Sequence, residues 1–166
     1  GLSASAGVFL GKDYHYDLIR PGIALYGGSP MDDDEARIKS AARLVAPVIQ
    51  LREISAGESV GYGATFTAAA PAQLATVAIG YGDGVLRSAA SRGYAILNGA
   101  PAPIAGRVSM DLITLDVTGH ENPPKIGDLA EFYGPSLSLH KAATNAGAAP
   151  YELLTGLGAR VDRRYL

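Results

Sequence analysis

Glycine and proline punctuate this chain between short apolar segments, and that spacing constrains its fold more than any other feature. With 21 glycines and 10 prolines, few stretches can run long as an amphipathic helix, because in a helix interior Gly costs about 1 kcal/mol and Pro about 3. From Leu44 onward the intervals read as strands, over residues 45–54, 60–67, 74–79, 94–97, 104–109, 112–117 and 129–133. Turn signals separate them at Ala56-Gly57-Glu58, Gly82-Asp83-Gly84, Asn98-Gly99, Gly119-His120 and Ile126-Gly127-Asp128. Seven crowded segments of this kind predict a mainly β unit, rolled into a barrel or folded as a sandwich.

Two short helices are expected after the strands. Ser138 is placed to cap a turn over residues 139–144, and Pro150 suits the first position of a helix over 151–157 that Gly158 ends. At the other end, residues 8–10 and 18–26 read as strand ends feeding glycine-rich loops. Ser29-Pro30-Met31 and the acidic run Asp32-Asp33-Asp34-Glu35 read as a solvated turn or linker. The first residues enter this pattern with no lead segment and no initiator methionine, so the chain is expected to be cut from something longer.

At 166 residues the chain suffices for one full core and falls short of the roughly 250 residues of a complete (β/α)8 barrel. Acidic and basic residues number 16 and 14 with no basic run, which disfavours nucleic acid and acidic lipid as partners. The absence of cysteine excludes disulfides and cysteine-ligated metals and makes a cytoplasmic setting unremarkable. His15, His120 and His140 are scattered without metal-site spacing, so no metal is expected. No apolar run reaches the length of a membrane span.

Several glycine-flanked residues are candidates for chemistry. Tyr62 stands between Gly61 and Gly63 in a strand-like run, where it is either an acid–base group or an ordinary half-buried strand residue. Gly80-Tyr81-Gly82-Asp83-Gly84 repeats that setting, with Asp83 read as a cap on its own turn. In Gly106-Arg107-Val108-Ser109-Met110-Asp111, the arginine and aspartate either serve a site or satisfy each other across a loop. Around Arg20-Pro21-Gly22, backbone amides with a hydroxyl from Ser3 or Ser5 offer an anion pocket, although no P-loop or dinucleotide fingerprint is present.

Taken in order, Arg20-Pro21-Gly22 with Leu25-Tyr26-Gly27, Gly57-Glu58 with Gly61-Tyr62-Gly63-Ala64, Gly80-Tyr81-Gly82-Asp83-Gly84, Gly106-Arg107-Val108-Ser109-Met110-Asp111, Tyr151-Glu152-Leu153-Leu154 and Arg160-Val161 resemble the alanine racemase family. The resemblance spans nearly the whole chain and falls on that family's carboxy-terminal portion. It implies a racemase-type β-barrel domain at residues 42–166, preceded at 1–41 by the last segment of a pyridoxal-phosphate-binding (β/α)8 barrel.

By the same resemblance, Ser5, Gly22, Ile23 and Tyr151 hold the phosphate of pyridoxal 5'-phosphate, and Arg20 faces its pyridine nitrogen. An arginine stays charged there and leaves no proton on the ring, which suppresses transamination. Tyr62 is implied as the base on the L-alanine side, opposite the lysine that also bonds the cofactor. Met110 is implied to hold the substrate carboxylate through its backbone amide, with Asp111 and Tyr81 at the entrance. Ser109 stands where some members have cysteine.

The implied reaction is interconversion of L- and D-alanine, supplying D-alanine for peptidoglycan in the bacterial cytoplasm. The implied assembly is a homodimer whose β-rich domain closes its partner's site. Lys12, Lys39, Lys125 and Lys141 do not sit in the family's lysine motif, so the chain alone is expected to be inactive without the remaining barrel, in its parent or in another chain. The competing readings are a noncatalytic dimerisation domain and a racemase for a related amino acid.

Overall fold

The computed structural model describes residues 1–31 and 37–165; the acidic run 32–35 lies outside them. In chain order the elements are α1 (Ser5–Phe9), β1 (Leu44–Ile54), β2 (Ser59–Val60), β3 (Phe66–Thr67), β4 (Ala72–Val77), β5 (Tyr94–Leu97), β6 (Ala100–Pro103), β7 (Ile113–Asp116), β8 (Leu129–Tyr133), α2 (Leu139–Ala146) and α3 (Pro150–Thr155), with single 3-10 turns between some of them.

β1 organises the sheet. Its eleven residues pair antiparallel with β8 through the first half, Leu44 to Pro47, and with β4 through the second, Val48 to Ile54. Register shifts at Leu44/Val45 and Val48/Gln50 bend it between the two partners. The strand order is β6-β5-β8-β1-β4-β7, with β2 and β3 forming a separate ribbon. The two outer strands meet again through a bridge between Ile104 and Leu115, which rolls the sheet into a nearly closed barrel. Inward residues alternate along β5 and β7, and Val48, Val77, Leu97, Ile113, Leu115 and Val117 fill the interior.

Most predicted strands form. Residues 60–67 instead break into β2, a 3-10 turn over Tyr62–Ala64 and β3, because Gly61 and Gly63 adopt φ of 76° and 74° and turn the backbone out of the sheet. Beyond Ile104, residues 105–109 leave the sheet at Gly106, whose φ is 86°. β6 escapes the sequence pattern because Pro101 and Pro103 argue against a strand. It forms nonetheless behind a two-residue turn at Asn98-Gly99, where both residues have positive φ.

The helices α2 and α3 pack on each other, and α2 lies against β8 and the 3-10 turn Arg87–Ala89. Ser138 Oγ accepts the Lys141 N–H at 3.0 Å as the predicted cap, and Leu139, Ala143 and Ala146 are the buried stripe of α2. α3 starts at Pro150 as expected but ends at Thr155, so Gly156 and not Gly158 follows its last turn. Glu152 accepts the Ala149 N–H at 2.8 Å and holds its first turn.

The amino-terminal strand expectations change most. Residues 8–10 belong largely to α1, and 18–26 contribute only Arg20 before a 3-10 turn over Ile23–Tyr26. Short apolar runs do not separate strand from helix by periodicity. What remains of strand character is a parallel bridge between Ala4 and Arg20, joined through α1 as a parallel pair requires.

Candidate functional site

The first group of site residues gathers at the Ala4–Arg20 bridge. Ser5 is buried, and its Oγ accepts the Gly22 N–H at 2.7 Å and the Ala24 N–H at 3.4 Å. The hydroxyl and these amides therefore converge on one point. A Cβ placed on Gly22 would meet no atom within 4 Å, so the loop is open on that side. Ile23 points its side chain into the core, where Gly28 is wedged against Ile23 and Leu139, leaving its backbone for any ligand. Arg20 is exposed, donates from Nη2 to the Leu2 carbonyl at 3.2 Å, and is tied by its backbone N–H to Ser3 O at 2.7 Å. Tyr151 is exposed on α3, whose Leu153 shares one hydrophobic cluster with Ile23 and Leu139.

The second group is built on residues 106–111. On one side Gly106 packs against the Val60 carbonyl, where a Cβ would come to 3.1 Å, and the Arg107 guanidinium lies beside Gly63, 3.2 Å from a Cβ there. This seats the ribbon carrying Tyr62, which is 75% exposed and so free to face something outside this chain. On the other side Tyr81 N–H donates to Ser109 O and Gly82 N–H to Met110 O, both at 2.9 Å. Gly80 approaches the Ser109 and Met110 backbone so closely that any side chain would collide with it. Arg87 lies 5.4 Å from the Tyr81 ring centre.

One segment thus carries Met110 and Asp111 and braces the loops of Tyr62 and Tyr81. Among the described residues, no hydrogen bond or ion pair joins this group to Ser5, Gly22, Arg20 or Tyr151, and no cluster of three metal-ligating side chains occurs.

The ion pairs decide between the two readings of Arg107 and Asp111. Arg107 and Asp111 do not satisfy each other: Asp111 Oδ1 instead accepts from Arg160 Nη2 at 2.6 Å, and Arg160 Nε reaches Asp83 Oδ1 at 2.9 Å. The carboxylates of Asp111 and Asp83 push the Arg160 guanidinium above its already high range. Asp83 is the expected turn cap, its Oδ2 accepting Gly80 N–H at 2.9 Å, and it also anchors the arginine. Sequence reasoning missed Arg160 as a site residue because its partners lie 77 and 49 positions away. The available signal was Arg160 itself, which stands in the last of the motifs that carry the family resemblance.

The family model "Alanine racemase, C-terminal domain" matches residues 41–165, and "Alanine racemase, N-terminal domain" matches residues 1–30. The catabolic alanine racemase of Agrobacterium fabrum is 50% identical over 99% of this chain and 43% of its own length, and the biosynthetic one of the same organism is 44% identical over 99% and 45%. The chain therefore spans less than half the length of these curated relatives. A crystal structure of alanine racemase from Bartonella henselae with covalently bound pyridoxal phosphate superposes with a TM-score of 0.92 at 42% identity, covering 99% of this chain and 46% of that one. The biosynthetic alanine racemase of Pseudomonas aeruginosa gives 0.93 at 42% identity, with the same coverage of 99% and 46%. Motif order, barrel topology and a family model covering most of its length together make this chain a member of the alanine racemase family.

Proposed function

We propose that this chain serves the pyridoxal-phosphate-dependent interconversion of L- and D-alanine. In this reading residues 1–41 close a (β/α)8 barrel and residues 42–166 form the β-rich domain. The observation that carries it is the peptide plane between Ser109 and Met110. Its carbonyl is taken by Tyr81 N–H, and in a trans peptide the following N–H points the opposite way. The Met110 N–H has no acceptor among the described residues, so it is directed outward, where a substrate carboxylate is held.

The remaining roles follow from position. The Gly22 and Ala24 N–H groups hold Ser5 Oγ in place, which leaves the Ser5 hydroxyl proton and the Ile23 N–H as donors beside the open side of Gly22; this fits a phosphate, and Tyr151 adds a hydroxyl from α3. When bound, the cofactor provides the electron sink that makes the alanine α-hydrogen removable as a proton. Arg20 presents a permanent cation to the ring. Tyr62, on its exposed turn, takes or returns the α-proton on the L-alanine side, beside the Arg107 cation. Tyr81 and Asp111 narrow the mouth to a methyl-sized side chain.

Among the described residues no hydrogen bond or ion pair links Arg20 to Tyr62, which suits a homodimer in which each subunit completes the other's site. Residues 1–166 alone are inactive in this reading, because the lysine opposite Tyr62 comes from the missing barrel segment. The setting is the cytoplasm, and the product feeds peptidoglycan.

The test is a chimaera in which this chain replaces the matching stretch of the A. fabrum catabolic relative. Tyr62→Phe is expected to lower α-proton exchange from L-alanine in D2O by at least roughly 100-fold, in line with loss of a general base, while the dimer persists. Wild-type exchange in both directions would remove Tyr62 from the mechanism.

A further inference from the structure

Arg160 is the side chain, among the described residues, that ion-pairs with both loops of the second site group. Its Nε holds Asp83, in the turn after Tyr81, and its Nη2 holds Asp111, next to Met110. The guanidinium lies over Gly82, where a Cβ would come 3.3 Å from Arg160 Nη1 and 3.0 Å from Met110 O. The tail reaches this point because Gly158 N–H donates to Asp83 O at 3.1 Å. Asp83 is buried and spends its other oxygen on Gly80 N–H. Without the arginine, a buried carboxylate loses its counter-charge and Asp111 loses its partner, beside the place proposed for a third carboxylate.

We propose that Arg160 is a positioning residue, which locks the loop 80–84 to the segment 109–111 and thereby aims the Met110 N–H at the carboxylate of an amino-acid substrate. This rests on the racemase reading above. Arg160 meets the two aspartates from two different nitrogens, Nε and Nη2, a planar, pre-organised fork that the flexible point charge of a lysine does not reproduce. Because the carboxylate is held alike in the ground and transition states, loosening its donor weakens binding more than turnover.

Two measurements test it. In the 166-residue chain, Arg160→Gln and Arg160→Lys are expected to speed hydrogen exchange of the Tyr81 and Gly82 amides by at least roughly tenfold without changing exchange in β1 and β4. Arg164→Gln, whose partner is the neighbouring exposed Asp162, should leave them unchanged. In the chimaera, Arg160→Gln and Asp111→Asn are each expected to raise KM for alanine about tenfold with kcat within threefold, and to be non-additive when combined, as for two partners of one contact. Unchanged amide exchange overturns the lock. Faster exchange with KM unchanged, in a chimaera that Tyr62→Phe inactivates, overturns the positioning role while leaving the racemase reading intact. Indifference to Tyr62→Phe fails that reading and the role with it. Should the chimaera not fold, the amide exchange decides.

Discussion

At the scale of single residues, burial without a partner has measurable consequences. Tyr133 on β8 is buried among the strands and helices, and its hydroxyl has no hydrogen-bond partner among the described residues. Burial pushes its phenol from 10.0 to about 12, with Arg163 opposing the shift. An acid whose folded pKa is raised keeps its proton in the native state while the unfolded chain releases it. The related stability is complete below pH 10 and is lost as pH rises to about 12. Spectrophotometric titration should find one tyrosine ionising near the top of that window, and Tyr133→Phe should remove the corresponding slope in stability. The same substitution is expected to leave neutral-pH stability unchanged or raised by up to about 1 kcal/mol, since it deletes an unpaired buried hydroxyl; a loss of 2 kcal/mol or more in urea unfolding would show that the hydroxyl has a partner. Such a group was invisible in the sequence, where all nine tyrosines look alike until packing separates them.

At the scale of elements, local chemistry was legible where a backbone group has a near partner. Ser138 and Pro150 mark the starts of α2 and α3 because capping and proline geometry act within one turn. Ser138→Ala should cost about 1 kcal/mol and fray α2 first, read as faster exchange at Lys141; a cost below 0.3 kcal/mol would mean that burial of Leu139, Ala143 and Ala146 alone fixes that end. Asn98-Gly99 likewise specified its hairpin, and Asn98 Nδ2 then ties the turn to Asp128 at 2.8 Å, which with the Lys125 N–H lowers the Asp128 carboxyl. Element ends were less legible. Gly156 ends α3 because tertiary contacts pull the chain toward Asp83 at Gly158, and the run 60–67 breaks because its glycines serve a turn rather than a bulge.

At the scale of the whole molecule, the barrel has a seam. Next to the tight turn, Leu97 and Ala100 form a hydrogen-bonded pair, so the alternate positions Pro101 and Pro103 face away from β5. Their missing N–H groups fall on the edge toward β7, and among the described residues the backbone closes the barrel at the Ile104–Leu115 bridge and the Ala105 N–H to Thr114 O bond of 2.8 Å. The Ala105 amide should therefore exchange at least roughly tenfold faster than those of Ala75 and Val77 in β4. Equal protection would mean that the barrel opens only by global unfolding.

The sequence by itself determined the mainly β character, most strand positions, the hairpin turn, both helix starts and, through the order of its motifs, the family. All but the last rest on period-two alternation, turn chemistry and capping, which act between residues a few positions apart; the family rests on the resemblance that the ordered motifs carry. Only the tertiary structure decided that Asp111 pairs with Arg160 rather than Arg107, that the segment 106–111 braces the loops of Tyr62 and Tyr81, and that the outer strands close on each other. The reason is physical: each of these contacts joins groups far apart in the chain, and which cation meets which carboxylate depends on where the rolled sheet brings their loops.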